Sequence, residues 1–347
     1  SFYNGYNVSC YNASDGFIEI NPIGGTPPYQ YSWSNGASSQ DLNNIPSGAF
    51  FLTLTDNNDC VFYDNFYLNQ PTEIYSFINS TTDYNGFDIS CYNYNDGGLE
   101  IFTSGSIPPY TYDWSNGGNQ ANLSNLSAGL HEVEVIDFNG CTHTNSIVLL
   151  EPNLLEATSI SENNYNGYDI SCFNFSDGAI DLTMNGGVAP YLYAWNNGMG
   201  IEDLDNLSEG TYSVNALDQN NCSATTTITL VEPPPFVLSY SLSDYNGYNV
   251  SCNSSTDGWM DINVDGGLPP YSFLWNNGAT SEDLNLIPSS NYVVNIQDAN
   301  QCQTTLSAEL NEPSPLVSNI MSETDFNNYD IRCYGLDDGS ITATISG

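Results

Sequence analysis

Apolar residues alternate with polar ones in short segments along this chain, and the alternation has the period of a β-strand. Between residues 97 and 135, the apolar positions of three such segments are Leu99 and Ile101, then Tyr110, Tyr112 and Trp114, then Val133 and Val135. A period of two puts these side chains on one face of a sheet and the polar residues between them on the other. No segment of useful length has the 3.6-residue period of a helix. The pattern therefore predicts an all-β protein of short antiparallel strands.

The strand pattern recurs about every 81 residues. Its most regular markers are one tryptophan and two cysteines per repeat, the second cysteine standing 50 residues after the first. The tryptophans are Trp33, Trp114, Trp195 and Trp275, and the first cysteines are Cys10, Cys91, Cys172, Cys252 and Cys333. A unit of this size is large enough for a small domain with its own core. We therefore predict five repeats, the first lacking its opening strand and the fifth truncated: residues 1–71, 72–152, 153–233, 234–313 and 314–347.

Each repeat has the sequence features of an immunoglobulin-like β-sandwich. About seven short strands fit into 81 residues, and Asn-Gly and Gly-Gly pairs supply turns between them. The recurring tryptophan is expected to anchor the core from a middle strand. We predict a tandem array of such domains with one disulfide each. Because both ends of the sequence fall inside a repeat, we also expect it to be a piece of a longer chain.

Nine cysteines make four pairs and one remainder, and two regular pairing schemes fit the repeat. The first scheme joins the two cysteines of each repeat: Cys10–Cys60, Cys91–Cys141, Cys172–Cys222 and Cys252–Cys302. The second joins Cys60 to Cys91, and so on, across each repeat boundary. We favour the first, because small extracellular domains close their own loops with disulfides. Either scheme requires an oxidising compartment, so we predict an extracellular location.

The charge of the chain excludes two classes of partner. It has one Lys or Arg against 41 Asp and Glu, for a formal net charge of −40. Binding to nucleic acid or to an anionic membrane surface requires clustered basic residues, so neither is expected. No run of about 18 apolar residues is present, and no direct membrane insertion is expected.

Enzymatic motifs are not apparent. There is no phosphate-binding loop and no Ser-His-Asp pattern shared between repeats. His131 stands where other repeats have Phe50, Tyr212 and Tyr292, which favours a strand residue over a catalyst. We therefore expect a protein that is not an enzyme and that has no organic cofactor.

Two series of aspartates recur with the cysteines and are candidate calcium ligands. One series follows each first cysteine by five residues, and the other precedes each second cysteine by four. They are Asp15, Asp96, Asp177 and Asp257, and Asp56, Asp137, Asp218 and Asp298. If the cysteines pair within a repeat, both series lie at one pole of the sandwich, where carboxylates and backbone oxygens could bind Ca²⁺. The alternative, which the pattern favours, is that these residues make turns through side-chain hydrogen bonds.

Together these motifs resemble the SprB repeat, named for the large surface adhesin of gliding Bacteroidota. In the third repeat the motifs are Cys172–Gly178, Gly186–Gly198, Asp203–Leu207, Gly210–Val214, Asp218–Cys222 and Glu232–Pro233. Departures are small: the second repeat has Ser104-Gly105-Ser106 for Gly-Gly, and the third has Ala189-Pro190 for Pro-Pro. The resemblance implies a cell-surface protein exported by the type IX secretion system and, in the best-known member, one that drives gliding.

The expected function is that of a repetitive extracellular adhesin or filament, whose tandem spacer domains serve surface adhesion and gliding motility. Expected partners are extracellular surfaces or polysaccharide, neighbouring copies, and the secretion or motility machinery. One alternative is an array of carbohydrate-binding modules, which needs an exposed aromatic platform in every repeat, and Trp259 is not repeated. Another is a purely structural stalk or sheath. The shared negative charge and the prolines at the repeat boundaries predict an extended chain.

Overall fold

Every regular element in the described part of the chain is a β-strand. The computed structural model describes residues 3–322, 327 and 329–347. None of these residues belongs to a helix that could cross a membrane. The predicted all-β fold class is confirmed, and each complete repeat has six strands rather than about seven.

The chain forms two compact units. The first comprises Ser1–Ala157, Met184–Tyr193 and Asn215–Thr225. The second comprises Thr158–Thr183, Ala194–Val214 and Thr226–Gly347. This division cuts through the third repeat, so the five domain boundaries drawn from the sequence stay a prediction.

The first two repeats lie in the first unit and contain eleven strands. In the first repeat these are β1 (Gly16–Ile18), β2 (Gln30–Trp33), β3 (Leu42–Ile45), β4 (Gly48–Thr55) and β5 (Val61–Leu68). In the second they are β6 (Tyr75–Ser80), β7 (Gly97–Ser104), β8 (Thr111–Trp114), β9 (Asn122–Leu126), β10 (Gly129–Ile136) and β11 (Thr142–Leu149). The first repeat forms sheets β1–β3 and β2–β4–β5, and the second forms β6–β7–β9 and β8–β10–β11. The strand pairs in these sheets are antiparallel.

The remaining repeats contain the other fourteen strands. The third has β12 (Glu156–Ser161), β13 (Gly178–Asn185), β14 (Leu192–Trp195), β15 (Leu204–Leu207), β16 (Gly210–Leu217) and β17 (Ser223–Leu230). The fourth has β18 (Val237–Leu242), β19 (Gly258–Asp265), β20 (Ser272–Trp275), β21 (Leu284–Ile287), β22 (Ser290–Gln297) and β23 (Gln303–Leu310), and the fifth has β24 (Val317–Ser322) and β25 (Ile341–Ser346). Their sheets are β12–β13–β15, β14–β16–β17, β18–β19–β21, β20–β22–β23 and β24–β25.

The second repeat shows how the alternating pattern builds a sandwich. Leu99 and Ile101 of β7 meet Trp114 of β8 and Val133 and Val135 of β10 in one buried cluster that draws on both sheets. The polar residues between them face outward, as the period of two requires. The fourth repeat forms the corresponding cluster around Trp275.

The recurring tryptophans are core residues, as predicted. Trp114, Trp195 and Trp275 are 2–4% exposed. In each of the four repeats that contain this tryptophan, the indole N–H donates to a backbone carbonyl six residues further on, for example Trp195 Nε1 to Ile201 O at 2.9 Å. The bond satisfies the one polar atom of a side chain that is otherwise buried among apolar groups.

His131 is a buried residue of strand β10. Its Nε2 lies 2.9 Å from the carbonyl oxygen of Ser127, four residues earlier. The Tyr212 and Tyr292 hydroxyls donate to carbonyls at the same offset in their own repeats. The histidine thus makes the same contact as the tyrosines at this position.

The predicted within-repeat disulfides are wrong, because the two cysteines of a repeat lie at opposite ends of a long strand. The segment before Cys91 is bonded to the end of β11, through Ile89 N to Leu150 O at 3.1 Å. Cys141 directly precedes the start of β11. Eight residues of strand span about 25 Å, whereas the Cα atoms of a disulfide lie within about 7 Å of each other. The four pairs Cys10–Cys60, Cys91–Cys141, Cys172–Cys222 and Cys252–Cys302 are therefore not formed.

Candidate functional site: the joints between repeats

Three disulfides each join the first cysteine of one repeat to the second cysteine of the next repeat. They are Cys10–Cys141, Cys91–Cys222 and Cys172–Cys302, with sequence separations of 131, 131 and 130 residues. The first two lie in the first compact unit and the third lies in the second. The alternative scheme, which paired Cys60 with Cys91, is not found either, because Cys60 is free and exposed. The covalent joint between neighbouring repeats is the feature that the structure adds to the sequence pattern.

An asparagine clamp accompanies each disulfide. At the joint of Cys91 and Cys222, the Asn220 side-chain amide donates to the carbonyl oxygens of Ser90 at 2.9 Å and Tyr84 at 3.2 Å. Its oxygen accepts a hydrogen bond from the Asn85 amide at 2.6 Å. One side chain thereby satisfies three polar groups of the preceding repeat.

The clamp recurs at the other two joints. Asn139 donates to Ser9 O and accepts from Asn4, and Asn300 donates to Ser171 O and Tyr165 O and accepts from Asn166. The accepting loop has the same shape each time, with a tight Asn-Gly turn closed by an isolated bridge such as Tyr84 to Phe87. Asn85 has a positive φ of 55°, a conformation that asparagine tolerates better than most residues. The turn holds its asparagine towards the neighbouring repeat.

The aspartates before the second cysteines shape the loop that carries the clamp. Asp218 Oδ1 accepts from the backbone N–H groups of Asn220 and Cys222, both at 2.9 Å, and its Oδ2 accepts from Val188 N at 2.8 Å. Asp298 makes the same set of contacts. Asp218 is only 2% exposed, and these N–H groups supply the hydrogen bonds that a buried carboxylate requires. This aspartate therefore orients both the asparagine and the cysteine of the joint.

The first repeat forms the same loop, although its cysteine, Cys60, is free. Asp56 accepts from Thr26, Asn58 and Cys60. The backbone hydrogen bonds from Thr26 and Cys60 lower the pKa of this carboxyl below its ordinary value. Asn58, the counterpart of Asn220, donates to Thr26 Oγ1. The loop thus folds without a disulfide.

The aspartates after the first cysteines shape the other half of the joint. Asp15, Asp96, Asp177 and Asp257 each accept from the N–H group of the serine that precedes the cysteine, at 3.0–3.1 Å. Hydrogen bonds from Ser251, and a further one from Ser255, lower the pKa of Asp257 to about 2. For Asp15, burial opposes ionisation, but the hydrogen bonds from Ser9 prevail and the pKa is lowered. These are the turn-forming contacts that the sequence favoured.

The calcium hypothesis loses its geometric premise. It required both aspartates of a repeat at one pole, but Asp96 belongs to the Cys91 loop and Asp137 to the loop at the other end of β11. Across residues 3–322, 327 and 329–347, no three His, Cys, Asp or Glu side chains come together in a way that could hold a metal ion. Calcium binding stays a prediction without a ligand cluster to support it.

The free cysteines follow from the pairing rule. Cys60, Cys252 and Cys333 are exposed and unpaired. In a pairing of each first cysteine with the second cysteine of the next repeat, the partners of all three fall outside the 347 residues.

The asparagine clamp was missed from the sequence, although a signal was present. Asparagine stands two residues before the second cysteine in all four complete copies of that loop, at positions 58, 139, 220 and 300. A second asparagine stands in the Tyr-Asn-Gly turn at positions 4, 85, 166 and 246. Either residue could be read as a simple turn former. Only the fold shows that the turn of one repeat faces the cysteine loop of the next.

The fold and the joints define a protein of tandem β-sandwich repeats that are cross-linked to their neighbours. The family model described as the SprB repeat matches residues 6–38, 87–119, 166–200 and 248–280. Each match includes the first cysteine and the core tryptophan. The chain carries SprB repeats at these four places, and the resemblance drawn from its motifs is confirmed.

Three solved structures match this chain at low sequence identity and low TM-score. The eight N-terminal Ig domains of the Down syndrome cell adhesion molecule are 10% identical, covering 91% of this chain and 60% of that one at a TM-score of 0.26. An ice-binding adhesin of an Antarctic bacterium is 10% identical, with coverages of 82% and 89% and a TM-score of 0.31. Invasin, a bacterial integrin-binding protein, is 9% identical, with coverages of 92% and 81% and a TM-score of 0.27. No curated protein matches the chain in sequence.

Proposed function

We propose that this chain is a spacer segment of a repetitive cell-surface adhesin, located outside the cell and without enzymatic activity. The observation that carries the proposal is the joint, in which a disulfide and an asparagine clamp recur between successive SprB repeats. Disulfides persist in oxidising, extracellular surroundings. A protein that only positions a distant contact site needs repeated, firmly joined domains and no reaction centre.

The finer parts of the proposal are adhesion along or at the end of a filament, gliding motility, and export by the type IX secretion system. They rest on the resemblance to SprB repeats. The proposed partners are extracellular surfaces or polysaccharide, neighbouring copies, and the secretion or motility machinery. The net charge of −40 supports low non-specific capture by other acidic surfaces.

A second candidate function, carbohydrate contact, is favoured by one surface on the first repeat. Phe51, Tyr63 and Tyr67 lie on the outer face of sheet β2–β4–β5 and are 53%, 72% and 68% exposed. Neighbouring exposed aromatic side chains on a polar sheet are typical of contact surfaces. In the second repeat, the residues at the positions of Phe51, Tyr63 and Tyr67 are Glu132, Thr144 and Val148, and none of them is aromatic. This favours a single contact face over an array of carbohydrate-binding modules.

Surface exposure of the repeats on intact cells tests the main proposal. Antibodies raised against residues 72–313 should label unpermeabilised cells, and external protease should remove the label. Cells lacking the gene should attach or glide less than the parent strain. Labelling only after permeabilisation would contradict the proposed location, and normal attachment and gliding without the gene would contradict the adhesive role.

Glycan binding by the first repeat tests the second candidate. The double variant Tyr63→Ser, Tyr67→Ser should lose binding to immobilised polysaccharide, while Tyr240→Ser, a change at another exposed tyrosine in the fourth repeat, should keep it. Equal binding by all three proteins would rule out this face.

A further inference from the structure

The three disulfides overlap along the chain, and the overlap has a mechanical consequence. Each cross-link joins residues 130 or 131 positions apart, whereas successive first cysteines are only 81 positions apart. Cys91 therefore lies inside the loop closed by Cys10 and Cys141, and Cys172 lies inside the loop closed by Cys91 and Cys222. We infer that the oxidised chain is a tether of limited extension, which carries a pulling force through its outer disulfides and the segment 141–172 that joins them.

A force on the two ends of a cross-linked chain follows the shortest covalent route between them. From Cys10 that route crosses to Cys141, runs along the backbone to Cys172, and crosses to Cys302. Its backbone part is 172 minus 141, or 31 residues, which extend to at most about 110 Å. Without disulfides the route is 302 minus 10, or 292 residues, and reaches about 1,000 Å.

The residues outside this route are shielded from the load. Between Cys10 and Cys302, the strands on the route are β11 and β12, and the tether lengthens only as these two leave their sheets. Opening of the strands inside the closed loops does not lengthen it, so a pulling force does no work by causing it. Disulfides within each repeat would shield less. They would leave the linking segments 60–91, 141–172 and 222–252 on the route, about 92 residues in all. Joining neighbouring repeats thus shortens the backbone part of the route about threefold.

The middle disulfide becomes part of the load-bearing route only when an outer cross-link is lost. Cys91–Cys222 is not on the shortest route while the other two cross-links are intact. If Cys10–Cys141 is lost, the route runs to Cys91, crosses to Cys222, returns along the chain to Cys172 and crosses to Cys302. The overlap therefore limits the extension even after one outer cross-link has broken. This inference concerns load-bearing alone and does not depend on what the protein adheres to.

Single-molecule pulling on the whole chain tests the inference. Handles are attached enzymatically at residues 1 and 347, and free thiols are first alkylated. At full extension the oxidised chain should release only segments 1–10, 141–172 and 302–347, about 85 residues or roughly 300 Å. Reduction should release the whole chain, about 1,200 Å, a roughly fourfold increase.

Two matched double variants test which disulfides lie on the load-bearing route. Cys91→Ser with Cys222→Ser removes the middle cross-link and should leave the length unchanged. Cys10→Ser with Cys141→Ser removes the same number of sulfurs and should raise it to about 185 residues, slightly more than twofold. The final length depends on which cross-links are present, so non-reducing peptide mapping of each variant must first show that its two remaining disulfides have formed. Lengthening by the middle-pair variant, or no change on reduction, would overturn the inference and would leave the proposed cell-surface role untouched.

Discussion

Asn220 makes more contacts across a joint than any simple turn residue would need. Replacing it by alanine should leave the carbonyls of Ser90 and Tyr84 and the amide of Asn85 without their partner. We expect Asn220→Ala to lower the free energy of unfolding by about 1–3 kcal/mol. Asn58→Ala is the matched control, because the Asn58 side chain donates to Thr26 of its own repeat, and losing that bond should cost less than about 1 kcal/mol. Calorimetric unfolding measures the free energy of unfolding that each variant loses. Equal losses would mean that the clamp does not stabilise the joint.

Asp257 makes the stability of the fourth repeat sensitive to acid. Hydrogen bonds from Ser251 and Ser255 lower its pKa from 3.8 to about 2 in the folded chain. A carboxyl group whose pKa is lower in the folded chain than in the unfolded chain stabilises the fold at pH values above its unfolded pKa. This contribution is lost as the pH falls from about 4 towards 2. Asp257→Asn should therefore flatten the fall in melting temperature over this range. Asp261→Asn, at an exposed position on β19, should leave the dependence of melting temperature on pH as it is in the parent. Identical curves for the parent and both variants would show that Asp257 does not cause the acid sensitivity.

Calcium removal tests whether the aspartates before the second cysteines bind Ca²⁺. Both carboxylate oxygens of Asp137, Asp218 and Asp298 already accept hydrogen bonds, mainly from the loop backbone. We expect a chelator to leave the melting temperature unchanged relative to a control of equal ionic strength. A clear drop that added Ca²⁺ reverses would reinstate the calcium hypothesis.

At the scale of single elements, the strands were predictable and their first residues were not. Alternation is a local signal, so β7, β8 and β10 could be placed from the sequence. Asp96-Gly97, however, was read as a turn, whereas Gly97 opens β7 beside a shift in register. A Cβ atom there would come within 2.6 Å of Ile89 Cδ1 and 3.0 Å of Leu126 O. The glycine is required by close packing, which depends on residues distant in the sequence.

Gly97→Ala should accordingly destabilise the second repeat. Overpacking of this kind costs about 1–3 kcal/mol. Gly117→Asn is the control, because Gly117 has a φ of +82° with nothing near its missing Cβ, and asparagine accepts that conformation. We expect the control to change the melting temperature little. A Gly97→Ala variant as stable as the parent would show that the strand can move aside.

At the scale of the whole molecule, the disulfide pattern could not be derived from spacing. The repeat suggested two regular schemes, and the observed pairing is neither of them. Rejecting the favoured one required knowing that Cys91 and Cys141 lie at opposite ends of β11. That placement follows from the bonds of Asp88 and Ile89 to Leu150, which join segments about 60 residues apart. In the structure, the next repeat supplies the partner of each bonded first cysteine. Closing a loop of 131 residues is worth about 5 kcal/mol in the chain-entropy model.

Peptide mapping without reduction tests this connectivity most directly. Arg332 is the one Lys or Arg in the chain, so an acid-directed protease must replace trypsin. After alkylation of free thiols, linked peptides should contain Cys10 with Cys141, Cys91 with Cys222, and Cys172 with Cys302, and each should separate on reduction. Linked peptides that contain Cys91 with Cys141, or Cys172 with Cys222, would place the disulfides inside the repeats and contradict the cross-linked joint.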